Sequence, residues 1–171
     1  MARAVVVGVG NDYRGDDGAG LAVARLLRGL GVPAVDNGGD PAELIEAWTD
    51  TGVAVVIDAA RSGDPPGTVR RHAGLRQLPE GTASTHALSL ADAVALGRAL
   101  GRLPGELIVY TVEGASFVLG AGLSRPVASS VPDVARAVMR EIQQMRGSCS
   151  PTSMSTTRVD PTSVRMTTRP G

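Results

Sequence analysis

The chain contains no lysine, and all 17 of its basic residues are arginine. That removes a Schiff-base lysine and the lysine of a phosphate-binding P-loop. One cysteine is present, Cys149, which excludes a disulfide framework and a thiolate zinc site. Aromatic residues make up 2% of the sequence, so the core must be built from Val, Leu and Ala, and platforms for stacking bases or sugars are nearly absent. Acidic residues number 17 as well, for a formal net charge of zero. No field of one sign favours nucleic acid or an anionic membrane, so neither is expected as a partner. There is no run of eighteen apolar residues to span a bilayer. Ala4–Val9 is too short for a signal peptide and runs into a glycine turn, and a soluble cytoplasmic protein is expected.

What the chain does have is an alternation of strand and helix patterns. Ala4–Val9 is a continuous apolar run, as in a buried parallel strand. Val23, Leu26, Leu27 and Leu30 then recur at helical spacing and predict a core-facing stripe. Ala34–Val35 reads as a short strand, and Asp40-Pro41-Ala42-Glu43 as a capping box with proline at the first helical position. Val53–Ile57 is a buried strand ending at Asp58, and Thr68–His72 an edge strand. Ser89-Leu90-Ala91-Asp92 and Ser130-Val131-Pro132-Asp133 each look like the start of a helix, the second with Val134, Val138, Ile142 and Met145 on one face. Leu107–Val112 supplies another strand between them. The order predicts a three-layer α/β fold: a twisted, mostly parallel sheet with helices on both faces. Residues 1–146 form one domain in this reading. Residues 147–171, rich in Ser, Thr, Pro and Arg, are expected to be a disordered tail.

The segment from Gly8 to Gly18 carries the most chemistry. A glycine-rich turn between strand and helix usually cradles a phosphate on free N–H groups. This turn holds Asp12, Asp16 and Asp17, which repel phosphate and attract a cation. Gly8-Val9-Gly10 begins a dinucleotide fingerprint, but Tyr13 stands where the third glycine belongs. No Gly-x-Ser-x-Gly elbow is present for a serine hydrolase.

In an open α/β sheet, function gathers at the carboxyl ends of the strands. Asp17 and Asp58 fall there, and His86 precedes the helix expected at Ser89. Two carboxylates and an imidazole suit a divalent transition metal with a position left for water or substrate. Taken singly, each has an ordinary explanation: an aspartate as helix cap, a turn former, a surface histidine. Of the two adjacent aspartates, Asp16 is the expected cap. Together at one sheet edge, Asp17, Asp58 and His86 point to a site. His72 is read as solvent-exposed, and Asp36-Asn37-Gly38-Gly39 as a flexible turn.

Gly8-Val9-Gly10-Asn11 followed by Arg14-Gly15-Asp16-Asp17-Gly18 resembles the N-terminal signature of the hydrogenase maturation endopeptidases. Asp36-Asn37-Gly38 is similar to that family's Asp-Gly-Gly turn, with Asn37 in place of a glycine. Asp58-Ala59 with Pro66-Gly67-Thr68, and Thr85-His86-Ala87-Leu88-Ser89-Leu90, resemble its second acidic and its histidine segments. The resemblance spans about residues 3 to 145. It implies an endopeptidase that removes a C-terminal extension from the large-subunit precursor of a nickel–iron hydrogenase after nickel insertion. It implies that Asp17, Asp58 and His86 are the catalytic and metal-contacting residues, that Asp36, Asn37 and Gly38 meet the substrate, and that nickel arrives with the substrate. A binding module that shields the nickel-bearing subunit without cleaving it, or a peptidase with another protein substrate, would carry the same residues.

Overall fold

In the computed structural model, residues 3–74 and 86–147 are described. The expected tail, apart from Gly147, lies outside them, as do residues 75–85 before His86. The elements run β1 (Ala4–Val9), a 3-10 turn (Gly15–Gly18), α1 (Ala19–Gly29), β2 (Ala34–Asn37), α2 (Pro41–Trp48), β3 (Val53–Ala60), β4 (Val69–Ala73), α3 (Ala87–Ala99), β5 (Glu106–Glu113) and α4 (Arg125–Gly147). The sheet order is β2-β1-β3-β5-β4. All pairings are parallel except β4 against β5 at the edge. The expected α/β fold is therefore present, with α1 and α4 packed on one face of the sheet and α2 and α3 on the other.

The apolar runs explain the central strands. β1 and β3 are buried along their whole length, as strands covered on both faces must be. Their alternate residues feed opposite cores. Val6, Val55 and Ile57 meet α1 and α4, whereas Val7 and Val56 meet Leu44, Trp48 and Leu90. Trp48 is fully buried, and its indole N–H donates to the Arg102 carbonyl at 3.0 Å. That bond removes the cost of hiding its one polar atom. The capping box at Asp40 forms as expected: the carboxylate accepts from the N–H groups of Ala42 and Glu43.

α1 lies unusually close to the sheet. A Cβ on Gly20 would come within 2.2 Å of the Ile57 carbonyl oxygen, and one on Gly8 within 2.3 Å of the Gly20 carbonyl oxygen. Only glycine permits this approach. It sets the turn before α1 directly over the carboxyl ends of β1 and β3. Those two strands are where the chain reverses its direction of growth across the sheet, the usual place for a ligand in such folds.

Several boundaries differ from expectation. The helical stripe of α1 is Val23, Ala24 and Leu27; Leu26 and Leu30 are exposed, because the close packing on Gly8 narrows the buried face. β3 continues past Asp58 to Ala60, since β5 pairs with it to Glu113. α3 starts at Ala87, so Ser89 sits inside its first turn, not at its cap. His86 occupies the cap position, fixed there by its backbone N–H donating to Asp58 at 3.1 Å. α4 begins at Arg125 and runs through Pro132. Ser130 is within the helix, with its hydroxyl turned back to the Val127 carbonyl at 2.7 Å. The earlier start comes from Ser124, whose N–H and hydroxyl are anchored on Asp16 and whose carbonyl accepts from Ala128. Among the described residues, no helix is long and apolar enough to cross a membrane.

Candidate active site

Asp17, Asp58 and His86 come from three separate elements and converge. Each offers a ligand atom within 4.8 Å of the others. Asp17 sits in the 3-10 turn above β1, Asp58 near the end of β3, and His86 at the head of α3. Both aspartates are buried, at 2% exposure, and His86 is half-buried. Asp58 braces the histidine at two points. One carboxylate oxygen lies 3.0 Å from Nδ1 of the ring, and the other accepts the His86 backbone N–H. The Ala59 N–H donates to Asp58 as well, at 2.8 Å. Asp17 Oδ1 is 4.0 Å from the same Nδ1.

The hydrogen bond to Asp58 raises the His86 pKa above its ordinary value, more than burial lowers it; the charges of Asp58 and Asp17 add to the rise and Arg14 opposes it. Asp17 presents the sharper anomaly. Its Oδ1 is buried and has no hydrogen-bond partner among the described residues. A buried carboxylate oxygen left bare is costly and uncommon. It fits a cation: two hard oxygen donors and one imidazole, no thiolate, facing one point.

Asp16, expected to cap α1, does something else. It is fully buried and accepts hydrogen bonds from the N–H groups of Ala115, Ser116 and Ser124 and from the Ser124 hydroxyl, at 2.6 to 2.9 Å. Burial pushes its pKa up, but the combined donors outweigh it and hold the pKa below the usual value. α1 itself has Gly18 at its cap position and no side-chain cap. Asp16 thus ties the turn to the loop after β5, and its neighbour Asp17 is aimed by that anchor.

The expected turn at Asp36-Asn37-Gly38-Gly39 is half strand: β2 continues past Val35 through Asp36 and Asn37, which pair with Gly8 and Val9 of β1. Asp36 is paired with Arg25 and Arg28 of α1, and Arg25 also reaches Asp12 at 2.6 Å. Burial raises the Asp36 pKa, but the hydrogen bonds to Arg28 and Arg25 bring it below the ordinary value. The Asn37 side chain accepts the Gly39 N–H at 2.6 Å, and its carbonyl accepts the Gly10 N–H at 3.0 Å. Gly38 has open space about it. Gly39, read in the sequence only as part of a turn, lies against the histidine. Its φ is +93°, and a Cβ there would meet His86 Cδ2 at 2.6 Å. It forms a flat shelf under one edge of the imidazole while Asp58 holds another.

His72 is half-buried, not solvent-exposed, and burial together with Arg70 lowers its pKa. It lines a pocket of about 240 Å³ with Ser62, Arg70, Thr111 and Glu113. Thr111 is the sheet neighbour of Asp58, and Arg70 the neighbour of Thr111, so the pocket begins one strand away from Asp58. Glu113 is buried beside it and accepts from the N–H groups of Ser62 and Gly63 and from the Ser62 hydroxyl.

Comparison with known proteins agrees with this architecture. The family model described as HycI, hydrogenase maturation protease, matches residues 22–141. The fold is similar to that of hydrogenase maturating endopeptidase HybD from E. coli, at 23% identity over 84% of this chain and 93% of that one, with a TM-score of 0.74. It is similar to NiFe hydrogenase maturation protease HybD from Thermococcus kodakarensis, at 26% identity over 81% of this chain and 98% of that one, TM-score 0.72. It also resembles NiFe hydrogenase maturation protease HycI from Thermococcus kodakarensis KOD1, at 19% identity over 83% and 93%, TM-score 0.61. No curated protein matches the chain. With more than half of its residues matched by the family model, and its fold in agreement with that match, the chain belongs to the hydrogenase maturation protease family.

Proposed function

We propose that this peptidase removes the C-terminal extension of a nickel–iron hydrogenase large-subunit precursor, and that it recognises its substrate by the nickel the precursor carries. The observation that supports this most is the bare, buried Oδ1 of Asp17 beside Asp58 and His86. Donors of this type, without thiolate, bind a cation loosely on their own. A loose site suits an enzyme that must sense a metal already held by its client. Nickel is then part of the substrate, and the resemblance to the family supports its assignment. A cytoplasmic location belongs to the same proposal.

Asp17, Asp58 and His86 would contact the client's metal and so fix the position of the scissile peptide. Positioning of this kind lowers a barrier by several kcal/mol, roughly 7–11 at its best. When bound, the metal supplies Lewis acidity toward a carbonyl or water. The chain supplies the rest. Asp58 orients the imidazole, the Gly39 shelf keeps it from rotating away, and Asp17 or Asp58 is placed to accept a proton from the attacking water. Asp36, Asn37 and Gly38 would lie beside the incoming chain, with Asp36 holding the turn in place through α1.

The test is cleavage of purified precursor, loaded with nickel or free of it, followed by mass spectrometry of the released peptide. Processing restricted to loaded precursor is expected. Equal processing of both removes nickel recognition. Stoichiometric binding with no released peptide would turn the reading toward a shielding module.

A further inference from the structure

Tyr13, Val118 and Leu119 are the most exposed large apolar residues described, at 77%, 64% and 74%. They belong to two loops that are joined. The Gly120 N–H donates to the Tyr13 carbonyl at 2.8 Å, and the Gly15 N–H to the Ala121 carbonyl at 3.1 Å. The Asp16 N–H donates to the Ser116 carbonyl at 2.8 Å, while the Asp16 carboxylate gathers the donors of Ala115, Ser116 and Ser124. A Cβ on Gly15 would strike the Ser116 carbonyl at 2.5 Å, so the two loops touch along their backbones.

We infer that these three side chains form a rigid docking rim for the folded body of the precursor, distinct from the peptide it presents for cleavage. The inference rests on the proposed function. Tyr13 stands four residues before Asp17 on the same turn, so a protein that delivers a peptide to Asp17 brings its own surface to this turn. Apolar groups at the ends of loops gain nothing in water, and a buried carboxylate spent on fixing them there makes sense when they meet a partner. The backbone of Tyr13 is fixed at both its N–H and its carbonyl, and tyrosine is a residue type that carries binding free energy at contact surfaces. A partner of matching chemistry is an apolar patch on the precursor surface. A second copy of this chain seated here would cover the cleft that the peptide must enter.

The experiment measures binding of full-length, nickel-loaded precursor to Tyr13→Ser, Leu119→Ser and the double variant by calorimetry, with Leu100→Ser as a control. Leu100 is also exposed, at 56%, but lies at the far end of α3. The double variant is expected to bind at least about ten-fold more weakly, with Leu100→Ser unchanged. The double variant should melt at the wild-type temperature, so that its weaker binding reports the lost contact and not a lost fold. Precursor affinity unchanged in the double variant overturns the rim while leaving the proposed function standing. An equal loss with Leu100→Ser, or self-association of the wild type that the double variant abolishes, overturns it too. No binding of precursor by the wild type overturns both.

Discussion

The two aspartates of the turn before α1 are adjacent and buried alike, yet the protein uses them in opposite ways. Asp16 faces the loop after β5 and has both oxygens occupied by donors. Asp17 lies beside Asp58 and His86 with one oxygen bare. A carboxylate fully supplied with N–H and O–H donors is structural: its charge is neutralised by dipoles, and its removal leaves those dipoles stranded. A buried carboxylate oxygen left without a donor stores unfavourable solvation that a cation can relieve. The same residue type, one peptide bond apart, is therefore a brace in one case and a carboxylate with an unsupplied oxygen in the other.

The largest effect should come from breaking the brace. Asp16→Ala strands three N–H groups at once and is expected to cost about 3–5 kcal/mol in urea unfolding. Asp17→Asn is expected to move the urea midpoint far less, because its Oδ1 has no donor to strand and the charge it removes repels Asp58 as well as attracting His86. Its cleavage rate on precursor should nonetheless fall by about 10²–10⁴. If Asp17→Asn destabilised as much as Asp16→Ala, the contrast between the two would be lost.

A smaller effect sharpens the picture of how the histidine is held. Gly39→Ala must relieve both a left-handed backbone and the contact with the imidazole, and should cost about 1–2 kcal/mol. The displaced ring would report itself as a changed His86 side-chain signal in NMR, with the His72 signal unmoved. An unmoved His86 signal would remove the shelf.

The smallest effects are in pH. The Asp16 pKa is lower in the folded state, so its contribution is present above the unfolded value of 3.8 and is lost as pH falls through the folded value. Wild-type melting temperature should drop in that window more steeply than that of Asp16→Asn. The His86 pKa is raised, so its contribution is complete below the unfolded 6.5 and is lost as pH rises through the folded value. In metal-free protein, the melting advantage of wild type over Asp58→Asn should therefore shrink as pH rises from below 6.5 through the folded value. An advantage that grows instead would contradict the ion pair between Asp58 and His86.

The contrast also marks what is legible in the chain. Asp17, Asp58 and His86 can be read because each follows or precedes an unmistakable element, and the strand order brings those ends together. Asp16 cannot, since its partner Ser124 is 108 residues away and no local pattern announces it. The same distant bond moves the start of α4, where Ser130-Val131-Pro132-Asp133 imitates a helix cap but lies inside the helix. His72 resists reading because burial on an edge strand depends on which face a neighbouring pocket occupies. Gly39 reads only as a turn residue, because its contact is the absence of a side chain beside a ring from another segment.

The proposal that Asp17, Asp58 and His86 hold one cation is the one on which the rest depends. Anomalous diffraction from crystals of this protein soaked in nickel or cadmium tests it most directly. A single strong peak is predicted in contact with Asp17, Asp58 and His86, at about 2.0–2.2 Å for nickel-sized ions, that disappears in Asp17→Asn. A cleft without a peak, or a metal held elsewhere while these residues stay unligated, would contradict it.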